Sequence, residues 1–286
     1  MEKKLLKRSL SFAMMIAVVF STIIASSFIK ANAAETEKAV TLTQGENTSQ
    51  HDTVQEAVAA VAADNTQAVI TLNKDFEGAG AVVKKDQNIV FNLNGFTWNI
   101  NSLVGSSGTE TNGVQLLQGS TVTIENGTLT SKTAKLLIQN YCDLTIRNAT
   151  LSGQDNLTEI IVSNNNGSTV ITGNSAVQAA AGGIAFDSDK WGGYQGGNVT
   201  LENGQVIGNV NATNGGKISL NGGTVTGDVI ASNYTYQGNE KTPANIVIDG
   251  ATINGNVTAQ NIGNISISSG TVTGLVSSES TSPVAV

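Results

Sequence analysis

Val210-Asn211-Ala212-Thr213-Asn214-Gly215-Gly216-Lys217-Ile218-Ser219-Leu220-Asn221-Gly222-Gly223-Thr224-Val225-Thr226 decides the fold. Apolar residues stand at 210 and 212, at 218 and 220, and at 225, with polar residues between them. A period of two is the signature of a strand with one face turned inward. Residues 213–216 and Asn221-Gly222-Gly223 interrupt the alternation with turn formers. Seventeen residues therefore hold three short strands and two bends.

The same spacing recurs along the chain, and a repeat of this kind dictates the architecture. Val199-x-Leu201 leads to Val206, Ile218-x-Leu220 to Val225, Ile246-x-Ile248 to Ile253, and Ile265-x-Ile267 to Val272. Val210, Val229, Val257 and Val276 open the next copies. Upstream, Val122-x-Ile124 leads to Leu129, Leu144-x-Ile146 to Leu151, Val170-x-Thr172 to Val177, and Phe91-x-Leu93 to Trp98. Ile70-x-Leu72 with Phe76 is an irregular first copy. The middle bend falls at Asn126, Asn148, Asn174, Asn203, Gly222, Gly250 and Ser269. Six of these seven are Asn or Gly, the types that tolerate a left-handed backbone.

Such coils stack into an all-β, single-stranded parallel β-helix of about 8–9 coils, neighbours about 4.8 Å apart and the rod roughly 40 Å long. Thr53-x-x-Glu56 is a capping box. Val54, Ala57, Val58 and Val61 follow at helical spacing and can cover the first coil. The divisions are 1–33 leader, 34–67 N-terminal segment with the capping helix, 68–278 β-helix and 279–286 C-terminal tail.

The motifs Val69-Ile70-Thr71-Leu72-Asn73-Lys74-Asp75, Val90-Phe91-Asn92-Leu93-Asn94-Gly95, Val122-Thr123-Ile124-Glu125-Asn126-Gly127-Thr128-Leu129 and Gly223-Thr224-Val225-Thr226-Gly227 carry a resemblance. Over roughly 50–276 the chain resembles bacterial exported proteins of the pectin-lyase-like, right-handed parallel β-helix superfamily, in its surface-protein or adhesin branch. Right-handedness is implied by that resemblance. The enzymes of the superfamily cleave acidic polysaccharides, the lyases with a basic residue and calcium on clustered carboxylates. Its hydrolases use Asn-x-Asp and Asp-Asp patterns with a nearby His and an Arg-x-Lys. After residue 33 this chain has one arginine (Arg147), one histidine (His51), no Asp-Asp pair and no Arg-x-Lys. The resemblance therefore implies the fold and leaves the catalytic sets unfilled, and a fold alone does not specify function.

Lys3, Lys4, Lys7 and Arg8, an apolar run from Leu10 to Ala25, and Ala31-Asn32-Ala33 form a secretory signal peptide pattern. The reading is export, to the medium or the cell surface, with cleavage and no later membrane span. The segment 1–33 holds five basic residues and one acid, so the remainder carries a formal charge of −11. Nucleic acid is an unsuitable partner for such a surface. Cys142 is the only cysteine, so no internal disulfide forms.

The register puts the turn at 213–216 in line with a longer turn at 187–197 and another at 232–244. The first carries Trp191 and Tyr194, the second Tyr234 and Tyr236, and Tyr141 belongs to the same turn of an earlier copy. Trp98 falls on a core position. Aromatic rings beside polar groups suit sugar faces and interfaces. Asp187, Asp189, Lys190, Trp191, Tyr194, Tyr234 and Tyr236 are thus the candidate ligand-binding edge, with no catalytic set. No cofactor or metal is expected; Asp187-x-Asp189, read as one loop, is a solvated, turn-forming pair, with calcium binding there as the alternative. The leading expectation is a non-catalytic surface or matrix protein that adheres to glycan or to a surface protein. A polysaccharide-degrading enzyme and a rod associating end to end are the alternatives.

Overall fold

The computed structural model describes residues 37–153, 158–190, 196–233, 242–279 and 282–286. The segment 1–33, read above as a leader, lies outside them. The described chain is built almost wholly of strands in two sheets, and Lys38–Val286 forms one unit. Among the described residues no helix is long and apolar enough to cross a membrane.

Parallel pairing between successive repeats organises the chain. One sheet has nine strands in strict sequence order, from Ala81–Val83 to Val276–Ser278, each paired with the strand from the next repeat. The second sheet has 17 strands. It is two ribbons joined where a strand runs through the bend, as in Thr121–Ser131, Asp143–Gly153, Asn245–Asn254 and Asn264–Val272.

The repeat alignment holds residue by residue in the C-terminal half. Val199, Ile218, Ile246 and Ile265 share one register column. Val206, Val225, Ile253 and Val272 share another. Val210, Val229, Val257 and Val276 form a third. Nearly all of these are buried; Val272 and Val276, in the final repeat, are less covered. Trp98 is buried in line with Leu129, its ring 5.5 Å from that of Phe91.

Three alignments move. Leu144 and Ile146 pair with Thr169 and Ile171, so Thr169 and Ile171 face inward in place of Val170 and Thr172. Thr169 is tolerated there because its hydroxyl donates to Asn164 Oδ1 at 2.8 Å. The column of Val122 and Ile124 continues to Ile89 and Phe91 and then to Ala68 and Ile70, two positions before the expected pairs and on the same face. The bend also slides. Positive φ occurs at Asn126, Asn148 and Gly250 as expected, but at Gly173, Gly204, Gly223 and Gly270 instead of their neighbours Asn174, Asn203, Gly222 and Ser269.

Helix α1, Val54–Ala60, forms as the capping box predicts. The Glu56 amide donates to Thr53 Oγ1 at 3.1 Å, while Glu56 Oε2 accepts from the Asp52 amide rather than from Thr53. Val54, Ala57 and Val58 are buried against the core. The segment before it holds a hairpin that the repeat spacing does not reveal. Val40–Gln44 pairs antiparallel with Asn47–His51 on one side and with Gln67–Leu72 on the other, covering the first edge of the larger sheet. In the tail, Val284–Ala285 pairs in parallel with Ile265 and Ser266.

Candidate functional site

Asp187 and Asp189 lie in a strand, Ile184–Asp189, and not in the loop expected of them. Phe186 and Ser188 point inward and are buried, so alternation turns Asp187 and Asp189 to the outward face of the nine-strand sheet. The strand extends this far because its backbone pairs through Asn165↔Asp189 on one side and Ser188↔Ala212 on the other.

Adjacent strands complete a polar face. Ser163, Asp187 and Asn211 stand in one register row. Asn165 pairs with Asp189, and Thr213 with Ser232, in the row beside it. The hydrogen bonds run toward the carboxylates. Ser163 Oγ donates to Asn165 Oδ1 at 3.1 Å, and Asn165 Nδ2 donates to Asp189 Oδ1 at 2.7 Å. Thr213 Oγ1 donates to Asp187 Oδ1 at 3.1 Å. Earlier strands extend the polar face: Asn112 and Gln115 both donate to Gln139 Oε1 at 2.9 Å, and Gln139 donates to the Tyr141 hydroxyl at 3.0 Å.

The face is unusually shielded for an outward one. Ser163, Asn165, Thr213 and Ser232 are buried, and Asp187, Asp189 and Asn211 are half-buried. Burial pushes the Asp187 carboxyl up to about 7, the negative charge of Asp189 adds to the rise, and the Thr213 hydrogen bond opposes it. Burial also raises Asp189 above the usual carboxylate range against the Asn165 hydrogen bond. Two buried polar atoms here have no hydrogen-bond partner, Asn211 Oδ1 and Ser232 Oγ, and Asn233 Nδ2, just past the end of the strand Val229–Ser232, also lacks one. Such groups destabilise the fold unless something satisfies them.

Beneath this face is a second polar array, facing the core. Asn140 Nδ2 donates to Asn164 Oδ1 at 2.8 Å and to Thr169 Oγ1 at 3.0 Å, and Asn164 Nδ2 donates to the Gly167 carbonyl at 2.8 Å. Gly167 is required beside it, because a Cβ there would meet the Asn140 amide.

Of the sequence-predicted site residues, the structure brings Asp187 and Asp189 together and leaves Lys190 half-buried directly after their strand. Trp191, Tyr194, Tyr234 and Tyr236 lie outside the described residues. Among the described residues no group of three or more His, Cys, Asp or Glu is poised to hold a metal ion. Arg147 and Glu125 form an ion pair on the other sheet. Sequence reasoning missed Ser163, Asn165, Asn211, Thr213 and Ser232. Their signal was available for Asn211, which alternates between inward Val210 and Ala212. No family model, no curated protein and no solved structure matches this chain.

Proposed function

We propose that this chain is an exported, non-catalytic surface or matrix protein that binds glycan through the outward face of its nine-strand sheet. Under this reading the scaffold is a right-handed parallel β-helix of about 8–9 coils with three strands each. Strictly sequential parallel pairing supports the coils, and the superfamily resemblance supports the hand. The basic and apolar leader supports export. The observation that carries the function is the row of hydrogen-bonding side chains at 163, 187 and 211, with 165, 189, 213 and 232 beside it, on a rigid sheet. Carbohydrate recognition uses such arrays, commonly with aromatic rings alongside. The rings at Trp191 and Tyr194 follow Lys190 in the sequence, and those at Tyr234 and Tyr236 follow Asn233. A glycan array probed with the purified protein tests the reading, with a Trp191→Ala/Tyr234→Ala variant and a chelator arm. Binding that the variant loses supports it, and the absence of any bound glycan refutes it.

The elevated Asp187 carboxyl beside Asp189 favours one alternative, a polysaccharide hydrolase, since a neutral carboxyl near pH 7 can serve as a general acid. Release of reducing ends from a bound polysaccharide, lost in Asp187→Asn, would establish that alternative. A self-associating rod draws support from the last repeat, where Leu275 is 68% exposed and Val276 38%. A molecular mass that rises with concentration would support it.

A further inference from the structure

We propose that the ligand of this face is an uncharged, hydroxyl-rich glycan and that the face excludes uronate and sulfated glycans; the inference rests on the glycan-binding reading above. The formal charges of the four strands Ile160–Asn165, Ile184–Asp189, Asn209–Thr213 and Val229–Ser232 are those of Asp187 and Asp189, both negative. Lys190, next in the chain, is the nearest cation in sequence, and above pH 7, where the Asp187 carboxyl is ionised, one lysine against two carboxylates leaves the face net negative. An anionic sugar would bring a third negative charge to a place where the first two already repel each other in partial burial. Anion recognition depends on arginine forks, lysines or helix N-termini, and the four strands supply none of these.

The unsatisfied atoms point to the complementary chemistry. Asn211 Oδ1 can only accept, and the Ser232 hydroxyl can both donate and accept. A sugar hydroxyl also does both. Neighbouring hydroxyls of one ring can therefore donate to Asn211 and to a carboxylate while accepting from Ser232. A carboxylate or sulfate group can only accept, so at its place Asn211 Oδ1 still has no donor, and the oxygens of Asp187 and Asp189, which already accept from Thr213 and Asn165, face a group with no proton to offer. The penalty for leaving built acceptors unmet is what makes such sites selective. Successive strands stand about 4.8 Å apart, so the polar groups repeat along the sheet at the scale of a hexose ring, which suits a chain of sugars.

The test is calorimetric titration of the purified protein with neutral polysaccharides and with uronate polymers, each uronate polymer paired with its carboxyl-reduced counterpart. The expected result is binding to neutral members, with each uronate polymer at least tenfold weaker than its reduced counterpart. Asp187→Asn/Asp189→Asn should narrow that gap. Asn211→Asp, which keeps the side-chain shape and adds a negative charge, should widen it. The opposite directions of the two variants separate a charge effect from misfolding. A uronate polymer that binds as tightly as its reduced counterpart overturns the exclusion while leaving glycan binding intact. A gap that neither variant moves overturns the assignment to this face. No binding to any polymer overturns the glycan-binding reading itself.

Discussion

Asp187→Asn should stabilise the protein at pH 8 and have little effect at pH 4. The Asp187 carboxyl titrates near 7 in the folded protein and at 3.8 by its ordinary value. Between these limits the native state holds a proton that the unfolded chain has released. Stability therefore falls as pH rises through this window, since it rises with pH only where the unfolded state binds more protons. The full shift corresponds to ~4 kcal/mol at ~1.4 kcal/mol per unit. Asp187 is half-buried, and solvent screening reduces the figure to about 2 kcal/mol. The amide that replaces the carboxylate keeps an oxygen for Thr213 Oγ1 and carries no charge to desolvate. Other shifted groups fall outside the window or act alike. Asp249, lowered by hydrogen bonds from Ser269 and Ser268, acts below its ordinary 3.8, and Cys142 and Lys38 act at alkaline pH. Asp189 is raised by its own burial, against the Asn165 hydrogen bond, and that cause is common to both proteins. Urea unfolding of parent and variant at half-unit steps from pH 4 to pH 8 measures the difference directly. A stability difference that stays constant over that range would refute the reasoning, because it would mean that the carboxyl ionises alike in both states.

Three further outcomes follow from the packing. Leu129→Ala and Leu151→Ala empty fully buried positions in neighbouring repeats, and each should cost about 2–5 kcal/mol in urea unfolding. Gly167→Ala would press a methyl group into the Asn140 amide and the Cys142 carbonyl; a loss of about 1–3 kcal/mol is expected, visible as a lower unfolding midpoint. Burial pushes the Cys142 thiol up to about 12, so iodoacetamide at pH 8 should leave it unmodified in the native protein and alkylate it in denaturant, as mass spectrometry would show.

The sequence carried the parts of the fold in which inward residues are apolar. Val199, Ile218, Ile246 and Ile265 could be aligned because each alternates with a polar neighbour, and the structure pairs them as aligned. The signal failed where an inward residue is polar. Thr169, Asn164 and Ser188 are buried, but a pattern of hydrophobicity reads them as surface or turn. That is why Val170 displaced Thr169 in the alignment and why Asp187 and Asp189 looked like loop residues. The bends were legible to within one residue. Gly173-Asn174 and Asn203-Gly204 each offer two residues that tolerate positive φ, and in both the glycine takes it, having no Cβ to strain. The hairpin Val40–Gln44 with Asn47–His51 escaped because it is antiparallel and belongs to no repeat. Of the described site only Asp187 and Asp189 were singled out in the sequence, because its other members come from strands 19 to 24 residues apart and meet only once the register brings them side by side.

The inward and outward polar groups share the same strands, and this links stability to the proposed function. Along the nine-strand sheet one inward column runs Val83, Leu116, Asn140, Asn164, Ser188, Ala212, Ala231 and Ala259. Apolar members of such a column attract without direction and would accept small displacements between strands. Asn140 and Asn164 do not, because each must meet particular partners on the neighbouring repeats or leave a buried amide unsatisfied. A slip of one residue would turn Asn164 outward and Ser163 inward, breaking the inner ladder and the outer row together. The strands that carry Ser163 and Asp187 are thus fixed in register from within, next to the outward groups of the proposed binding face. A buried polar ladder is a poor source of stability compared with a packed leucine, and its value here lies in holding the outward row in place.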